Sequence, residues 1–195
     1  MVTDLLLIKN MCLKFNNCTY FEIGTWRGES VINLTEVADD INTLDLGVDE
    51  FSQFNLSKNY ANAHGYFINN HLKIKQHFGD SSKFDFAGLN KKFDVIFIDG
   101  NHHYDYVLSD SKNVFDELIH DKSIVIWHDY GFSPENIRYE ILNAIINSVP
   151  KQFHKNLYHV ENTMCAIYIP ENIESTLLEE YANPKRTFSV EIKIN

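Results

Sequence analysis

Short apolar runs that end in an acidic residue recur along this chain, and helix-length segments separate them. The clearest are KFDVIFIDG, residues 92–100, and SIVIWHDYG, residues 123–131, whose continuous apolar stretches are typical of strands buried on both faces. Strands that alternate with helices favour a parallel sheet with helices on both sides. We therefore predict the α/β fold class.

The predicted elements fill most of the chain. Apolar residues among the first 18 predict an N-terminal helix, and further helices are predicted at 29–40, 106–119 and 136–149. Strands are predicted at 19–24, 41–47, 72–80, 92–100 and 123–131, and two more within 157–170 are joined by a turn at Glu161–Thr163. Residues 50–67 are predicted to be helical or loop-like, and residues 171–195 to form an extension with a short helix and a last strand at 187–195. Because no linker interrupts this pattern, we expect one domain over residues 1–195.

Charge and cysteine usage restrict the partners. The chain has 17 Lys and Arg residues and 27 Asp and Glu residues, which gives a formal charge of -10. Such a charge repels nucleic acid and favours a cationic ligand. Three cysteines without metal-type spacing indicate reduced, cytosolic thiols. The first residues are a poor signal peptide, and no apolar run approaches the ~18 residues of a membrane span. We expect a cytoplasmic protein that binds a small molecule and neither nucleic acid nor a membrane.

Acidic side chains close separate predicted strands. In a parallel sheet the carboxyl ends of the strands meet at one edge, where ligands bind. Any one acid there is explained by a polar turn, whereas the whole set favours a ligand site. The five acids are Glu22, Asp45, Asp80, Asp99 and Asp129.

The segment FEIGTWRGES, residues 21–30, indicates which class of ligand binds at this edge. A dinucleotide loop needs a middle glycine against the pyrophosphate, and this chain has Trp26 between Gly24 and Gly28. Asp45 is well placed for ribose hydroxyls, and Glu22 opposes a diphosphate but favours an ammonium group. The pattern therefore indicates S-adenosylmethionine rather than a nicotinamide cofactor.

The same residues resemble the first motif of class I S-adenosylmethionine-dependent methyltransferases, (E/D)-x-G-x-x-x-G. FDVIFIDGNHHYDYVLSD followed by SIVIWHDYG is similar to a small family of these enzymes with the signature I-D-G-x-H-x-Y and then H-D-Y, related to macrocin-type sugar O-methyltransferases. The resemblance runs from about Leu5 to Ile169. It implies a Rossmann-like, doubly wound, mostly parallel sheet of seven strands, with an antiparallel strand at the C-terminal end. The usual turn before the fifth strand is replaced by HDKS, and the substrate-cap insertions of larger relatives are absent.

The resemblance also implies roles for single residues. The methionine end of the cofactor would lie against Glu22, Gly24, Thr25, Arg27, Gly28 and Ser30. The ribose would contact Asp45 with Leu46 behind it, the adenine would contact Gly79, Asp80 and Ser81, and Asp99 would lie beside the transferable methyl group.

Oxygen methylation also needs a base or a metal ion. The candidates for catalysis are His102, Asp99, His128 and Asp129. In one version His102 or His128 removes the proton with help from a carboxylate; in the other, Asp99, Asp129 and His128 bind Mg²⁺, although a histidine suits that ion less well than a carboxylate. His64 lacks an evident partner and is predicted to lie on the surface. Trp26 is predicted to be a packing residue, with shielding of the cofactor's methionine arm as the alternative.

Two other functions stay open on sequence grounds: an NAD-binding oxidoreductase and a non-catalytic module that binds an adenosine ligand. For the methyltransferase, family analogy suggests a small acceptor such as a sugar or another hydroxylated metabolite. With little cap of its own, the pocket is also compatible with closure by a neighbouring copy in a homo-oligomer.

Overall fold

A seven-stranded sheet forms the centre of the protein, whose computed structural model describes residues 1–53, 57–177, 189 and 191. The strand order is β3-β2-β1-β4-β5-β9-β8. The first five strands pair in parallel, and β9 (Ala166–Tyr168) pairs antiparallel with both β5 (Ile124–Trp127) and β8 (Leu157–His159). The predicted fold class, including the antiparallel C-terminal strand, is confirmed.

The other elements follow the order of the chain. The remaining strands are β1 (Cys18–Ile23), β2 (Ala38–Asp45), β3 (Ile74–Phe78), β4 (Val95–Ile98) and a separate hairpin of β6 (Gly131–Ser133) with β7 (Asn136–Ile137). The α-helices are α1 (Val2–Cys12), α2 (Glu29–Ile32), α3 (Val48–Gln53), α4 (Lys58–Ala63), α5 (Tyr104–Asn113) and α6 (Tyr139–Ser148). A π-helical turn at Val114–Leu118 extends α5, and 3₁₀ turns lie at Ala87–Leu89 and Lys151–Asn156. None of the helices formed by these residues is long and apolar enough to cross a membrane.

Alternate residues of the central strands pack into two apolar layers. On one face Ile96, Ile98 and Trp127 lie in the same cluster as residues of α5 and α6, and on the other Phe97 and Ile126 lie with Ile8 of α1. All four residues of β4 are buried. Burying each such side chain contributes about 1.5–3 kcal/mol, which offsets the ~1–2 kcal/mol cost of ordering each backbone unit.

Four sequence predictions about elements differ from the structure. The N-terminal helix predicted over the first 18 residues ends at Cys12, and β1 begins at Cys18. The helix predicted at 29–40 ends at Ile32, because Asn33 and Thr35 bond the carbonyls of Glu29 and Ile32 and a run of turns follows. Residues 38–40 therefore begin β2. The first residues predicted for the helix at 136–149 belong instead to β7.

Two other predictions concern the end of the chain. The turn predicted at Glu161–Thr163 lies between β8 and β9, as expected. The tail helix and the strand predicted at 187–195 fall almost wholly outside the described residues.

Candidate active site

A cleft of about 690 Å³ opens at the carboxyl ends of the parallel strands. Volumes of this size are typical of sites for small ligands and cofactors. Its lining comes from the ends of β1, β2, β3, β4 and β5 and from α4 and α5. The position is the one that the acids at the strand ends predicted.

Backbone hydrogen bonds continue the parallel ladders beyond the strands and thereby fix the cleft floor. The amide of Gly24 donates to Leu44, that of Gly79 to Asp45, and that of Asp99 to Ile23, at 2.8–2.9 Å. The amide of His128 likewise donates to Ile98 at 3.0 Å. The residues that follow the strands are therefore held at one level of the sheet.

The turn after β1 requires glycine at its first position. Gly24 has φ +95°, and a Cβ there would lie 2.2 Å from the carbonyl oxygen of Asp99. Trp26 follows with φ 46°, a left-handed conformation that is uncommon for a bulky residue. Its ring is 41% exposed, lines the cleft and lies 4.6 Å from the ring of Tyr60, so the prediction of a packing residue is incomplete.

Seven of the predicted cofactor residues line the cleft, and the other five lie in β1, in the turn after it and in α2. The seven are Gly24, Asp45, Leu46, Gly79, Asp80, Ser81 and Asp99. Thr25 is buried against Thr43, and Gly28 begins α2 with φ +89° against Ile68. Arg27 pairs with Glu29 at 2.8 Å.

Glu22 is the most deeply buried of the predicted acids. It has no exposed surface, and its carboxyl accepts hydrogen bonds from the Tyr20 hydroxyl at 2.5 Å and the Ser30 hydroxyl at 2.8 Å. Burial raises the pKa of Glu22 to about 8, although these two bonds oppose the rise. Glu22 is therefore mainly protonated at neutral pH and supports the turn from below. Glu22 does not line the cleft itself, and the attraction of its carboxyl group for an ammonium group stays a prediction.

Asp45 ends β2 in a prearranged position. Its Oδ1 accepts a hydrogen bond from the Leu46 amide at 2.8 Å, and its Oδ2 lies 2.5 Å from Nδ1 of His64. His64 lies next to α4 and lines the cleft with its side chain 11% exposed, so the prediction of a surface histidine is wrong. No local pattern signals this contact, because the two residues are 19 positions apart.

The segment Gly79–Ser81 lies on the cleft wall beside β3. Asp80 accepts bonds from the Ser82 amide at 3.0 Å and the Ser82 hydroxyl at 2.7 Å, and Lys83 pairs with it at 3.2 Å. Burial alone raises the pKa of Asp80, but these contacts lower it below its usual value. Asp80 is thus a charged, fixed acid whose contact with an adenine stays a prediction.

The four residues predicted for catalysis lie together at the ends of β4 and β5. Nδ1 of His128 is 3.1 Å from Oδ1 of Asp99 and 3.5 Å from Oδ2 of Asp129. Nδ1 of His102 is 3.4 Å from the same Asp129 oxygen. Of these residues, Asp99, His102 and Asp129 line the large cleft, whereas His128 lies in a smaller recess beside it.

Asp4 of α1 completes this cluster. Its Oδ2 lies 3.2 Å from Nε2 of His128. Burial alone lowers the pKa of His128, but Asp129, Asp4 and Asp99 raise it to about 11, so the ring is an imidazolium at neutral pH. Burial raises the pKa of Asp99 against the effect of this cation, and the contact with His128 lowers that of Asp129.

The predicted Mg²⁺ ligands come together but do not fit that ion. One nitrogen of His128 and an oxygen from each of Asp99 and Asp129 lie within 4.8 Å of one another. An imidazolium has no free electron pair to offer a metal, and Mg²⁺ favours oxygen ligands. The His128 ring already lies 3.1 Å from Asp99 and 3.5 Å from Asp129, so a nitrogen faces both carboxylates.

Comparison with known proteins agrees with this geometry. The model of a family described as "Methyltransferase domain" matches residues 21–130. The chain belongs to this methyltransferase domain family. An uncharacterised protein of Acanthamoeba polyphaga mimivirus is 30% identical over 141 residues, which are 66% of this chain and 61% of the viral protein. The chain thus spans less than two thirds of that relative.

Two solved structures share the fold of this methyltransferase domain. The O-methyltransferase NovP is similar with a TM-score of 0.62 and 16% identity, over 88% of this chain and 81% of NovP. The methyltransferase PaMTH1 of Podospora anserina, solved with S-adenosylhomocysteine (SAH), has a TM-score of 0.59 and 16% identity, over 86% and 78% of the two chains. The family match contains every predicted site residue, whereas Asp4 of α1 lies outside it.

Proposed function

We propose that this methyltransferase domain uses S-adenosylmethionine to methylate a hydroxyl group of a small acceptor, such as a sugar or another hydroxylated metabolite. The observation that carries the proposal is the cleft, which brings the Gly24 turn, the acid Asp45 and the His102–Asp129 pair to one edge of the sheet. The family match supports methyl transfer, and the His102–Asp129 pair, which can take up a proton, supports a hydroxyl group as the acceptor.

The cleft residues fit the parts of this cofactor. When bound, S-adenosylmethionine supplies an electrophilic methyl group on a sulfonium. The Gly24 turn would hold its methionine end, because Gly24 lines the cleft next to the backbone of Asp99. Asp45 would accept the ribose hydroxyls, since a carboxylate offers about four acceptor positions and only some are used by Leu46 and His64. Gly79–Ser81 would hold the adenine.

The charges of the cleft favour this cofactor over a dinucleotide. Asp45, Asp99 and Asp129 line the same cleft, and they repel a diphosphate but attract a sulfonium. Trp26 stands on the wall of the turn where a dinucleotide loop has a glycine. These features argue against the NAD-binding alternative.

His102 is the residue best placed to remove the acceptor proton. It lines the cleft, its side chain is 54% exposed, and Asp129 faces its Nδ1 at 3.4 Å. An acid behind one ring nitrogen orients the ring and stabilises the charge that forms when the other nitrogen takes a proton. His128 is less suited to this task, because it is already protonated at neutral pH. The chain then has two further tasks, namely holding acceptor and methyl group in line and excluding water.

The experiment is methyl transfer from labelled S-adenosylmethionine to a panel of sugars and hydroxylated metabolites. We expect His102→Gln to lower kcat by roughly 10²–10⁴-fold, the usual effect of removing a general base. His103→Gln is the matched control, because His103 lies at the same strand end but no acid pairs with it among the described contacts. We expect it to retain most of the activity.

Two results would count against the proposal. Equal losses in the two variants would exclude His102 as the base. Tight cofactor binding without transfer to any hydroxyl would favour the non-catalytic module.

A further inference from the structure

We propose that Asp110 is a positioning residue for the adenine of the cofactor: from α5 it accepts the hydroxyl hydrogen of Ser81 and so turns the Ser81 oxygen toward the amino group of the base. The assignment rests on the proposed function, because it needs S-adenosylmethionine with its adenine at Gly79–Ser81. It gives a task to an acid that lies behind the cleft wall and touches no ligand itself.

The carboxyl group of Asp110 is completely buried and unpaired. The residue is 0% exposed and shares the buried face of α5 with Val107 and Ser111. Within the part of the chain that the structure describes, neither of its carboxyl oxygens has a hydrogen-bond partner. Glu22, which is equally buried, accepts hydrogen bonds from two hydroxyl groups. Because an unpaired buried polar group is destabilising, Asp110 indicates a contact that only the ligand-bound protein completes.

Asp110 lies directly behind the wall of the cleft. A Cβ on Gly100 would come within 3.7 Å of Oδ2 of Asp110, and Gly100 lines the cleft. Ser81 lines the same cleft. Burial raises the pKa of Asp110 to about 7, and the nearby Ser81 side chain opposes this rise although it does not reach hydrogen-bond geometry. A small movement of Ser81 is therefore enough to pair the two side chains.

Ser81 can change its hydrogen bonding, whereas its neighbour Asp80 is fixed. Asp80 is already held by the amide and hydroxyl of Ser82 and by Lys83. A serine hydroxyl rotates and serves as donor or acceptor. When its hydrogen points to Asp110, the Ser81 oxygen faces the cleft as an acceptor. Both charge states of the Asp110 carboxyl group offer an acceptor oxygen, so this orientation does not depend on its protonation.

The consequence is selection of the base. The amino group of adenine is a donor and suits the Ser81 oxygen. Hypoxanthine carries an oxygen at the same position, which would face the Ser81 oxygen with no hydrogen between them. Without Asp110 the hydroxyl can rotate and donate to that oxygen. Asp110 therefore favours adenine over hypoxanthine through Ser81.

The test compares calorimetric titrations of the full chain with SAH and with S-inosylhomocysteine, which has hypoxanthine in place of adenine. In the unmodified chain we expect Kd for SAH to be lower by roughly tenfold or more. Asp110→Leu keeps the branching of the side chain and removes the acceptor, so the two Kd values should lie within about threefold of each other. Its thermal unfolding midpoint should stay equal or rise, because an unpaired buried carboxyl group is lost.

Asp105→Leu is the matched control, because Asp105 is an exposed acid on the same helix. We expect it to leave the ratio of the two Kd values unchanged. Ser81→Ala should lower this ratio as Asp110→Leu does. The double variant should lower it no further, because Asp110 acts only through Ser81.

A crystal structure of the unmodified chain with SAH keeps the test decisive if Asp110→Leu does not fold. Oγ of Ser81 should lie within hydrogen-bond distance of both Asp110 and the adenine amino nitrogen. The proposal is overturned if only an ordered water contacts Asp110 there, or if Asp110→Leu folds and keeps the ratio of the unmodified chain. A chain that selects SAH in this way but methylates no acceptor would keep the Asp110 assignment and reject the proposed function. An active chain that binds both ligands equally would do the reverse.

Discussion

Glu22 lies fully buried beneath the β1 turn, and this burial raises the pKa of its carboxyl to about 8 from a usual value of 4.5. Between these two pH values the folded chain keeps a proton that the unfolded chain has released. The contribution of Glu22 to the free energy of unfolding is therefore largest below pH 4.5. It decreases as the pH rises toward 8.

We predict that Glu22→Gln removes this dependence. Between pH 5 and 8 the unfolding free energy of the variant should fall less steeply with pH than that of the unmodified chain. The two slopes should differ by up to about 1.4 kcal/mol per pH unit. Urea denaturation at several pH values measures the slope. Glu36→Gln, at an exposed position, should leave the slope unchanged. Parallel curves for the chain and the Glu22 variant would show that Glu22 is ionised in the fold.

The sequence predicts the strand-end residues well and their distant partners poorly. Asp45, Asp80, Asp99 and Asp129 are predicted at the ligand edge because each closes a predicted strand, and each lines the cleft. His64 reaches Asp45 only through the placement of α4, which no local pattern reveals. Asp4 does carry a signal: an acid in register with the apolar face of a helix indicates a buried partner.

Among the elements, the turn after β1 is the one that positions the site. A side chain on Gly24 would meet the carbonyl of Asp99, so β1 and β4 approach each other more closely here than any other residue permits. The same contact sets the height of Asp99 in the cleft. Turn geometry and site geometry are thus linked through one backbone contact.

Gly24→Ala should therefore cost both stability and ligand binding. We expect a loss of roughly 2–4 kcal/mol in unfolding free energy, from strain at positive φ and from the clash. Gly47→Ala is the matched control, because its Cβ would first meet the carboxylate of Glu50, the free end of a flexible side chain. Denaturation and SAH titration of both variants test this. Equal effects of the two substitutions would contradict it.

Whether an element can be predicted depends on what stabilises it. The runs that form β4 and β5 are continuous and apolar, and burial on both faces is enough to define them as strands. The helix predicted at 29–40 fails because side chains of Asn33 and Thr35 compete for backbone carbonyls. The sequence does not predict the β6–β7 hairpin, because its two short strands carry no alternating pattern of their own.

At the scale of the whole molecule, acidic charge extends from the surface into the cleft. The formal charge is -10, and Asp45, Asp99 and Asp129 line the cleft. S-adenosylmethionine carries a sulfonium that SAH lacks, so the field of the protein acts more strongly on the first ligand than on the second.

The salt concentration should affect the affinity for S-adenosylmethionine more than the affinity for SAH. Between about 0.02 M and 0.5 M NaCl we expect Kd for S-adenosylmethionine to rise roughly three- to tenfold, because added ions screen the attraction. Kd for SAH should stay within about twofold over the same range. Parallel titrations by fluorescence or calorimetry give both values. The same salt dependence for both ligands would show that the acidic field does not select the sulfonium.

The most direct measurement is calorimetric titration of the full chain with SAH and, separately, with NADH. We predict one SAH bound per chain and no heat with NADH. Asp45→Asn should raise Kd for SAH roughly tenfold or more, since a hydrogen bond to a charged group contributes about 1.5–3 kcal/mol. Asp39→Asn, at an exposed position of the same strand, should leave it unchanged. An absence of heat with SAH, or an equal Kd in the Asp45 variant, would contradict the placement of the cofactor across these strand ends.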